Sequence, residues 1–211
     1  MPQTAPPLET WLETERQPYE WQTFLVLGES IRMPGSTQHS PSLRDRLAEI
    51  DWLILDVDGV LTTGRIDYGT MDGSAVEIKS FHVRDGSALV CWHERGKRTV
   101  VITGRSSPVV ARRASELGIT TVLQGVQDKA TALADWLRTE RIQPEKVAAI
   151  GDDLPDVPAL QQVGLAVAVA DACPELRRIA HYITQARGGQ AAVRETIERI
   201  LRCQGLWERT R

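Results

Sequence analysis

The chain has 211 residues, of which 25 are lysine or arginine and 28 are aspartate or glutamate, so its formal charge is −3. Residues 1–41 hold two of the basic and five of the acidic side chains, which leaves 23 of each in residues 42–211. A balanced main part without a basic run argues against a nucleic-acid-binding protein, which needs a positively charged surface. No apolar stretch approaches the roughly 18 residues that cross a bilayer, so we expect no membrane partner either.

The first residues lack the basic and apolar regions of a secretory signal, and the three cysteines show no metal-ligand spacing. We therefore expect reduced thiols and a cytoplasmic protein. Six of the eleven prolines fall in residues 1–41, which predicts an N-terminal extension, flexible in part. Its apolar stretch at residues 21–27 leaves open that it docks on the domain or on a neighbouring subunit. Residues 42–211 suffice for one domain with an ordinary core.

From residue 42 onward, short apolar runs alternate with patterns typical of helices. Ser42 can cap a short helix that continues through Ile50. The predicted strands are then residues 52–57, 99–103, 120–123, 147–150 and 165–169, and the predicted helices are residues 87–95, 108–117, 129–141, 156–163 and 191–201. This alternation predicts an α/β fold with a doubly wound parallel sheet and helices on both faces.

Residues 62–83 interrupt the alternation. They contain Tyr68-Gly69 and Asp72-Gly73, flanked by alternating residues such as Val76 and Ile78. This pattern predicts a small β-hairpin. Because the hairpin follows the first strand directly, it projects from the carboxyl end of that strand, where ligands bind in sheets of this kind.

Two aspartates end the first predicted strand. Asp56 and Asp58 lie on the same side of an extended segment, and Gly59 allows a sharp turn directly afterwards. Two carboxylates held close together suit a hard cation with oxygen ligands, or a nucleophile paired with a general acid and base. Taken alone, the pattern also fits aspartates that merely end a strand.

Three later strand ends add further polar groups. Thr103-Gly104-Arg105 precedes a helix, where a hydroxyl, free backbone N–H groups and an arginine form an anion site. Lys129 begins the next helix, at the end that disfavours a cation, and a bound phosphate would compensate; alone, it fits a solvated surface charge. Asp152, Asp153 and Asp156 follow the fourth strand and would repel one another without a divalent cation.

This ordered set of motifs resembles the haloacid dehalogenase superfamily. Longer stretches are similar to the 3-deoxy-D-manno-octulosonate 8-phosphate phosphatase family; they are residues 56–62, 81–86, 102–105, 125–129, 151–153 and 166–172. The likeness covers roughly residues 45–207. It implies a fold without a large cap domain, a homotetramer through the 62–83 hairpin, and a role in lipopolysaccharide biosynthesis.

The resemblance also assigns expected roles to residues. Asp56 matches a nucleophile that forms an aspartyl phosphate, and Asp58 matches the general acid and base. Mg²⁺ would be held by Asp56, by the backbone carbonyl of Asp58 and by Asp152, with Asp153 or Asp156 supporting its water shell. Thr103 and Lys129 would bind the phosphoryl oxygens. The substrate, a small phosphorylated sugar acid, would contact Asp58, His82, Val83, Arg84, Asp85, Gly86, Arg105, Arg113 and Lys129. Gly188-Gly189 would reach the active site of a neighbouring subunit.

Three positions depart from the family pattern. His82 stands where the family usually has asparagine, Val90 where it often has a basic residue, and Thr63 where it usually has aspartate. His82 and Val90 lie in the substrate-facing region, so the identity of the sugar acid stays open. Two other hypotheses are a phosphatase for another small phosphoester and a non-catalytic tetramerisation domain related to those of sugar-nucleotide synthetases. Such assembly domains tend to lose the nucleophile or the metal aspartate, whereas this chain keeps both.

Overall fold

The computed structural model describes residues 41–207, so the predicted extension at residues 1–41 lies outside the described residues except for Pro41. The elements in chain order are α1 Leu43–Glu49, β1 Trp52–Leu55, β2 Asp67–Met71, β3 Ser74–Ile78, α2 Val83–Glu94, β4 Arg98–Ile102, α3 Pro108–Glu116, β5 Thr121–Leu123, α4 Lys129–Glu140, β6 Val147–Gly151, α5 Val157–Leu160, β7 Leu165–Ala168, α6 Pro174–Ile179, β8 Tyr182–Ile183 and α7 Ala192–Cys203. Short 3-10 turns at Pro144–Lys146 and Leu154–Asp156 precede β6 and α5.

Six strands form one sheet in the order β5-β4-β1-β6-β7-β8, and each neighbouring pair is parallel. The chain builds outward from β1 through β4 to β5, then crosses to the other side of β1 and continues through β6, β7 and β8. The predicted doubly wound parallel sheet is therefore confirmed. The order reverses between β1 and β6, and ligands of such sheets bind beyond the carboxyl ends at that reversal.

The central strands are almost entirely buried. Every residue of β6 and β7 is buried, and Leu53 and Leu55 of β1 are fully inaccessible to solvent. Such strands consist of continuous apolar residues because helices cover the sheet. In the described region α7 packs against α1 and α2, whereas α4 packs against α5.

Two of the predicted helices differ from the observed ones by more than two residues at one end. We predicted that the second helix begins at Ser87, but α2 begins at Val83, because the His82 ring accepts the backbone N–H of Arg84 and caps the first turn. That turn exposes Val83 and Arg84, so apolar periodicity could not reveal it. The predicted helix over residues 156–163 is shorter, with a 3-10 turn followed by α5. Neither helix α6 nor the two-residue β8 was predicted.

The insertion after β1 is the predicted hairpin. Strands β2 and β3 pair antiparallel, with Asp67 opposite Ile78 and Met71 opposite Ser74. Asp72 and Gly73 form the turn, and both have positive φ angles, 49° and 77°, as a two-residue hairpin turn requires. Four large side chains on and beside the hairpin are exposed, namely Ile66, Tyr68, Met71 and Ile78.

Among the described residues the longest helices, α2, α4 and α7, have 12 residues each. Within residues 41–207 no helix combines the length and apolar character that a membrane span requires.

Helix α4 begins at Lys129, so its packing sets the position of this residue. Leu133 on α4 is fully buried, and we expect Leu133→Ala to lower the free energy of unfolding by about 2–5 kcal/mol through the cavity it leaves. Urea denaturation measures the change. Arg138 on the same helix is exposed, so Arg138→Ala should change the free energy of unfolding by no more than about 0.5 kcal/mol. Equal losses in the two variants would contradict this packing.

Candidate active site

A cavity of about 420 Å³ opens at the carboxyl ends of the central strands. Eight of the predicted site residues line it, namely Asp56, Asp58, Thr103, Arg105, Lys129, Asp152, Asp153 and Asp156. They come from segments that follow different strands, and they meet because parallel strands end at the same edge of the sheet. A second cavity of about 440 Å³ lies at the opposite edge, beside the first residues of β1, β4 and β5, and contains none of these groups.

Asp56 follows β1 and is buried, and its backbone N–H donates to the Ile150 carbonyl on β6 at 3.3 Å. Its Oδ1 lies 2.9 Å from Nζ of Lys129, which also lies 2.6 Å from Oδ1 of Asp156. Burial, together with the charge of Asp156, raises the pKa of Asp56 to about 6, although Lys129 opposes the shift. The ammonium therefore sits between two carboxylates, one of them the predicted nucleophile.

Lys129 remains charged in this environment. Burial alone would lower the pKa of the lysine, but Asp56 and Asp156 outweigh that effect and raise it. A positive side chain held beside Asp56 suits the stabilisation of phosphoryl oxygens, and does not suit a general base.

Three carboxylates gather in this cavity. One oxygen each of Asp56, Asp152 and Asp156 lies within 4.8 Å of the others. Burial, followed by repulsion from Asp156 and Asp56, raises the pKa of Asp152 to about 8. A single lysine leaves excess negative charge here, and oxygen ligands at this spacing fit a hard divalent cation such as Mg²⁺.

The loop after β1 closes on this cluster. Gly59 has a φ of 99°, and a Cβ at this position would lie 2.0 Å from Oδ2 of Asp152. Gly188 approaches the same loop from the C-terminal side, where a Cβ would lie 1.7 Å from the Gly59 carbonyl oxygen, and the Gly189 N–H donates to the Val60 carbonyl at 2.8 Å. In this chain the Gly188-Gly189 segment therefore contacts the loop after its own β1, and a reach into a neighbouring subunit stays a prediction.

Asp156 has a larger part in the cluster than sequence reasoning expected. Its Oδ2 accepts the backbone N–H groups of Asp152 at 3.0 Å and Asp153 at 3.3 Å, and Asp156 is itself buried. The Asp58 side chain does not belong to this carboxylate cluster and contacts Lys79 and Arg105. The prediction that Asp58 contributes its backbone carbonyl to the metal is compatible with this orientation.

The segment after β4 forms the opposite wall. Thr103 is buried, and its hydroxyl oxygen accepts the backbone N–H of Arg105 at 3.5 Å. The Arg105 guanidinium lies 2.8 Å from Oε1 of Glu77 and 3.6 Å from Oδ2 of Asp58. Hydrogen bonding to Glu77 and Tyr68 raises the pKa of Arg105, which stays charged. The cavity thus has a hydroxyl and two cations, Arg105 and Lys129, placed for an anion.

Two charged hairpin residues were missed by sequence reasoning. Glu77 on β3 accepts from Ser107 and from Arg105, and Lys79 directly after β3 contacts Asp58. The sequence does contain a pattern that could have revealed them. Glu77 and Lys79 are two residues apart, so both lie on one face of the strand, whereas Val76 lies on the other face. The hairpin therefore contributes side chains to the site in addition to the apolar residues it exposes.

The remaining predicted substrate residues do not line this cavity. Asp85 is buried and accepts the backbone N–H of Arg194 at the start of α7, at 2.7 Å, and burial raises its pKa. Arg113 packs against Gly86, with its guanidinium 5.8 Å from the Phe81 ring. His82 caps α2, and Val83 and Arg84 are exposed there. Contact between substrate and these residues stays a prediction.

The raised pKa of Asp152 has a measurable consequence. In the metal-free folded protein this carboxyl holds its proton up to a pH of about 8, whereas in the unfolded chain it loses the proton near its usual value of 3.8. Stability should therefore fall as pH rises between these values. We expect Asp152→Asn to weaken that fall and to abolish the increase in Tm on adding MgCl₂, both measured by thermal denaturation with EDTA or excess MgCl₂.

The exposed Asp135→Asn on α4 is the matched control and should respond to pH and MgCl₂ as wild type does. A Tm increase with MgCl₂ that is equal in Asp152→Asn and wild type would contradict the assignment of the metal to this cluster.

Comparisons with known proteins agree with the site. Residues 115–193 match the model of the haloacid dehalogenase-like hydrolase family. The 3-deoxy-D-manno-octulosonate 8-phosphate phosphatase of Yersinia pestis is 47% identical over 159 residues, which cover 75% of this chain and 83% of the relative. That of Escherichia coli K12 is 43% identical over 173 residues, covering 81% and 90%.

Solved structures agree with this match. The crystal structure of the Yersinia pestis phosphatase superimposes with a TM-score of 0.76 at 46% identity, covering 79% of this chain and 89% of that one. The enzyme from Moraxella catarrhalis, solved with a magnesium ion, a phosphate ion and a KDO molecule, gives a TM-score of 0.75 at 39% identity, covering 78% and 93%. The cofactor is Mg²⁺, in agreement with the carboxylate cluster. The chain belongs to the 3-deoxy-D-manno-octulosonate 8-phosphate phosphatase family of the haloacid dehalogenase superfamily.

Proposed function

We propose that this chain hydrolyses 3-deoxy-D-manno-octulosonate 8-phosphate, or a closely related phosphorylated sugar acid, through an aspartyl-phosphate intermediate. One observation carries the proposal: Asp56 lies 2.9 Å from the Lys129 ammonium, within a carboxylate cluster that fits Mg²⁺. The family relationship supplies the substrate class. The reaction takes place in the cytoplasm and belongs to lipopolysaccharide biosynthesis in this proposal.

In the first step an Asp56 carboxylate oxygen attacks phosphorus, and the bond from phosphorus to the sugar oxygen breaks. Asp58 gives a proton to that leaving oxygen, so the sugar acid departs as an alcohol. In the second step Asp58 takes a proton from water as the water oxygen attacks phosphorus. The bond to Asp56 then breaks, which releases phosphate and restores the carboxylate.

The other side chains bind the negatively charged groups of the substrate during these steps. Lys129 and Thr103 bind phosphoryl oxygens, and Arg105 contacts the sugar acid. When bound, Mg²⁺, held by Asp56, Asp152 and the Asp58 carbonyl, offsets negative charge on the transferring group. Lys129 already pairs with Asp56 before substrate binds, so the donor needs little reorganisation.

We also propose a homotetramer in which the hairpins pack together. The exposed apolar residues Ile66, Met71 and Ile78 support this arrangement, because exposed apolar clusters mark contact surfaces. A neighbouring subunit then provides the predicted substrate contacts at His82, Val83 and Arg84, which do not line the cavity of their own chain. In this proposal residues 42–211 form the catalytic domain, and residues 1–41 are an extension without a catalytic role.

The sugar acid itself depends on a few positions. His82 caps α2 and Val90 is 43% exposed on the same helix, so both lie at a surface that a neighbouring subunit can cover. Because both depart from the family pattern, a related nonulosonate phosphate is the principal alternative substrate. The retained Asp56, Asp58, Lys129 and Asp152 count against a non-catalytic assembly domain.

Replacement of the nucleophile tests the proposed chemistry. With MgCl₂ and 3-deoxy-D-manno-octulosonate 8-phosphate, we expect Asp56→Asn to lower kcat/KM by at least about 10³-fold, because the amide cannot form the phosphoenzyme. Phosphate release measures the rate, and the exposed Asp135→Asn should retain it. The wild-type protein is also assayed with two other substrates, a 9-phosphorylated nonulosonate and glycerol phosphate. Comparable turnover by Asp56→Asn, or preference for glycerol phosphate, would contradict the proposal.

Charge placed on the hairpin tests the assembly. Met71 is 64% exposed, and we expect Met71→Glu to reduce the molar mass from about four times 23.4 kDa towards that of the single chain, because like charges then meet between hairpins. Light scattering coupled to size exclusion measures the mass. Asp72→Asn in the turn next to it keeps the required backbone conformation and should keep the wild-type mass. An unchanged mass for Met71→Glu, or a monomeric wild type, would contradict the arrangement.

A further inference from the structure

We propose that Lys79 is a positioning residue that holds the Asp58 carboxylate in the orientation needed for proton transfer. This inference rests on the proposed role of Asp58 as general acid and base. Each aspartate of the pair after β1 has a lysine of its own: Lys129 on α4 contacts Asp56, and Lys79 at the end of the hairpin contacts Asp58. The two lysines come from different parts of the chain and contact different carboxylates.

Lys79 is too deeply buried for an ordinary surface charge. Its side chain is 2% exposed, against 19% for that of Asp58. Removing an ammonium from water is costly unless acceptors replace the water, and a buried charge is therefore retained where it has fixed partners. Besides Asp58, the second partner is Oε1 of Glu77, at 3.5 Å from Nζ.

Glu77 fixes Lys79 and Arg105 relative to each other. It accepts from the Arg105 guanidinium at 2.8 Å and from the Ser107 hydroxyl. The hydrogen bond from Ser107, helped by Arg105 and Lys79, holds the pKa of Glu77 below its usual range. An ionised Glu77 thus links the hairpin to the segment after β4, and Lys79 is held between Glu77 and Asp58.

The two cations that contact Asp58, Arg105 and Lys79, differ in whether they line the cavity. Arg105 lines the cavity with its side chain 40% exposed, so a substrate can draw it away from Asp58. Lys79 does not line the cavity and keeps its contact with Oδ1 of Asp58. Lys79 therefore acts through Asp58, which leaves Oδ2 available towards the cavity.

Proton transfer needs the acid within hydrogen-bond reach of the leaving oxygen, and a misplacement of about 1 Å can cost about 10²-fold in rate. The requirement depends on the leaving group. An alkyl phosphate such as 3-deoxy-D-manno-octulosonate 8-phosphate releases an alkoxide that must be protonated, whereas p-nitrophenyl phosphate releases a stable phenolate. Displacement of Asp58 should therefore lower the rate of hydrolysis of the sugar phosphate far more than that of p-nitrophenyl phosphate.

The test compares Lys79→Met with Lys79→Arg on both substrates, using kcat/KM because it reports the steps up to departure of the leaving group. We expect Lys79→Met to lower kcat/KM for the sugar phosphate by about 10–100-fold, mainly through kcat, with less than about threefold loss on p-nitrophenyl phosphate. Lys79→Arg should recover most of the loss. In an Asp58→Asn background, Lys79→Met should add no further loss, since its effect passes through Asp58.

Lys97→Met is the matched control. The Lys97 side chain is also buried, at 7% exposed, and pairs with Asp51 at the opposite edge of the sheet. Its replacement removes a buried ammonium without touching the site, so both kcat/KM values should stay at wild-type levels in the folded protein, as verified by circular dichroism.

Equal losses on the two substrates, a change confined to KM, or an additive effect with Asp58→Asn would each overturn the inference. It fails separately from the proposed function: wild-type turnover of the sugar phosphate with an unchanged rate in Lys79→Met overturns the role of Lys79 alone.

Discussion

Repulsion between buried carboxylates is the constraint on which the rest of this site depends. Strands β1 and β6 lie side by side and parallel, so the aspartates that follow them must share one edge of the sheet. Burial and mutual repulsion raise the pKa of Asp56 to about 6 and that of Asp152 to about 8. Burying carboxylates this close together lowers the stability of the fold. Such clusters are typical of sites that bind a cation and a phosphorylated substrate.

The protein compensates for this charge with side chains from separate elements. Lys129 begins α4 and contacts two carboxylates, while Asp156 accepts backbone N–H groups and keeps the loop after β6 in one conformation. Compensation is incomplete without a metal, because one ammonium faces three carboxylates. Cation binding and the charge of Asp56 therefore depend on the same electrostatic balance.

The hairpin has two faces with different chemistry. Its exposed side carries apolar residues such as Met71, while Glu77 and Lys79 turn towards the segments after β1 and β4. The period of two along a strand makes this division possible in only five residues per strand. In the proposed function, a fold without a large cap uses one short insertion both for assembly and for orienting Asp58.

Much of this could be predicted from the sequence. Apolar periodicity determined the alternation of strands and helices, the Asp72-Gly73 turn determined the hairpin, and the positions of Asp56, Thr103, Lys129 and Asp152 after strands placed them at one edge. These features depend on local backbone geometry, which a sequence pattern reports directly. Only the tertiary structure decided that Lys79 contacts Asp58, 21 residues away, and that Asp85 accepts from the start of α7, 109 residues away. Such contacts depend on how whole elements pack, and no local period encodes that packing.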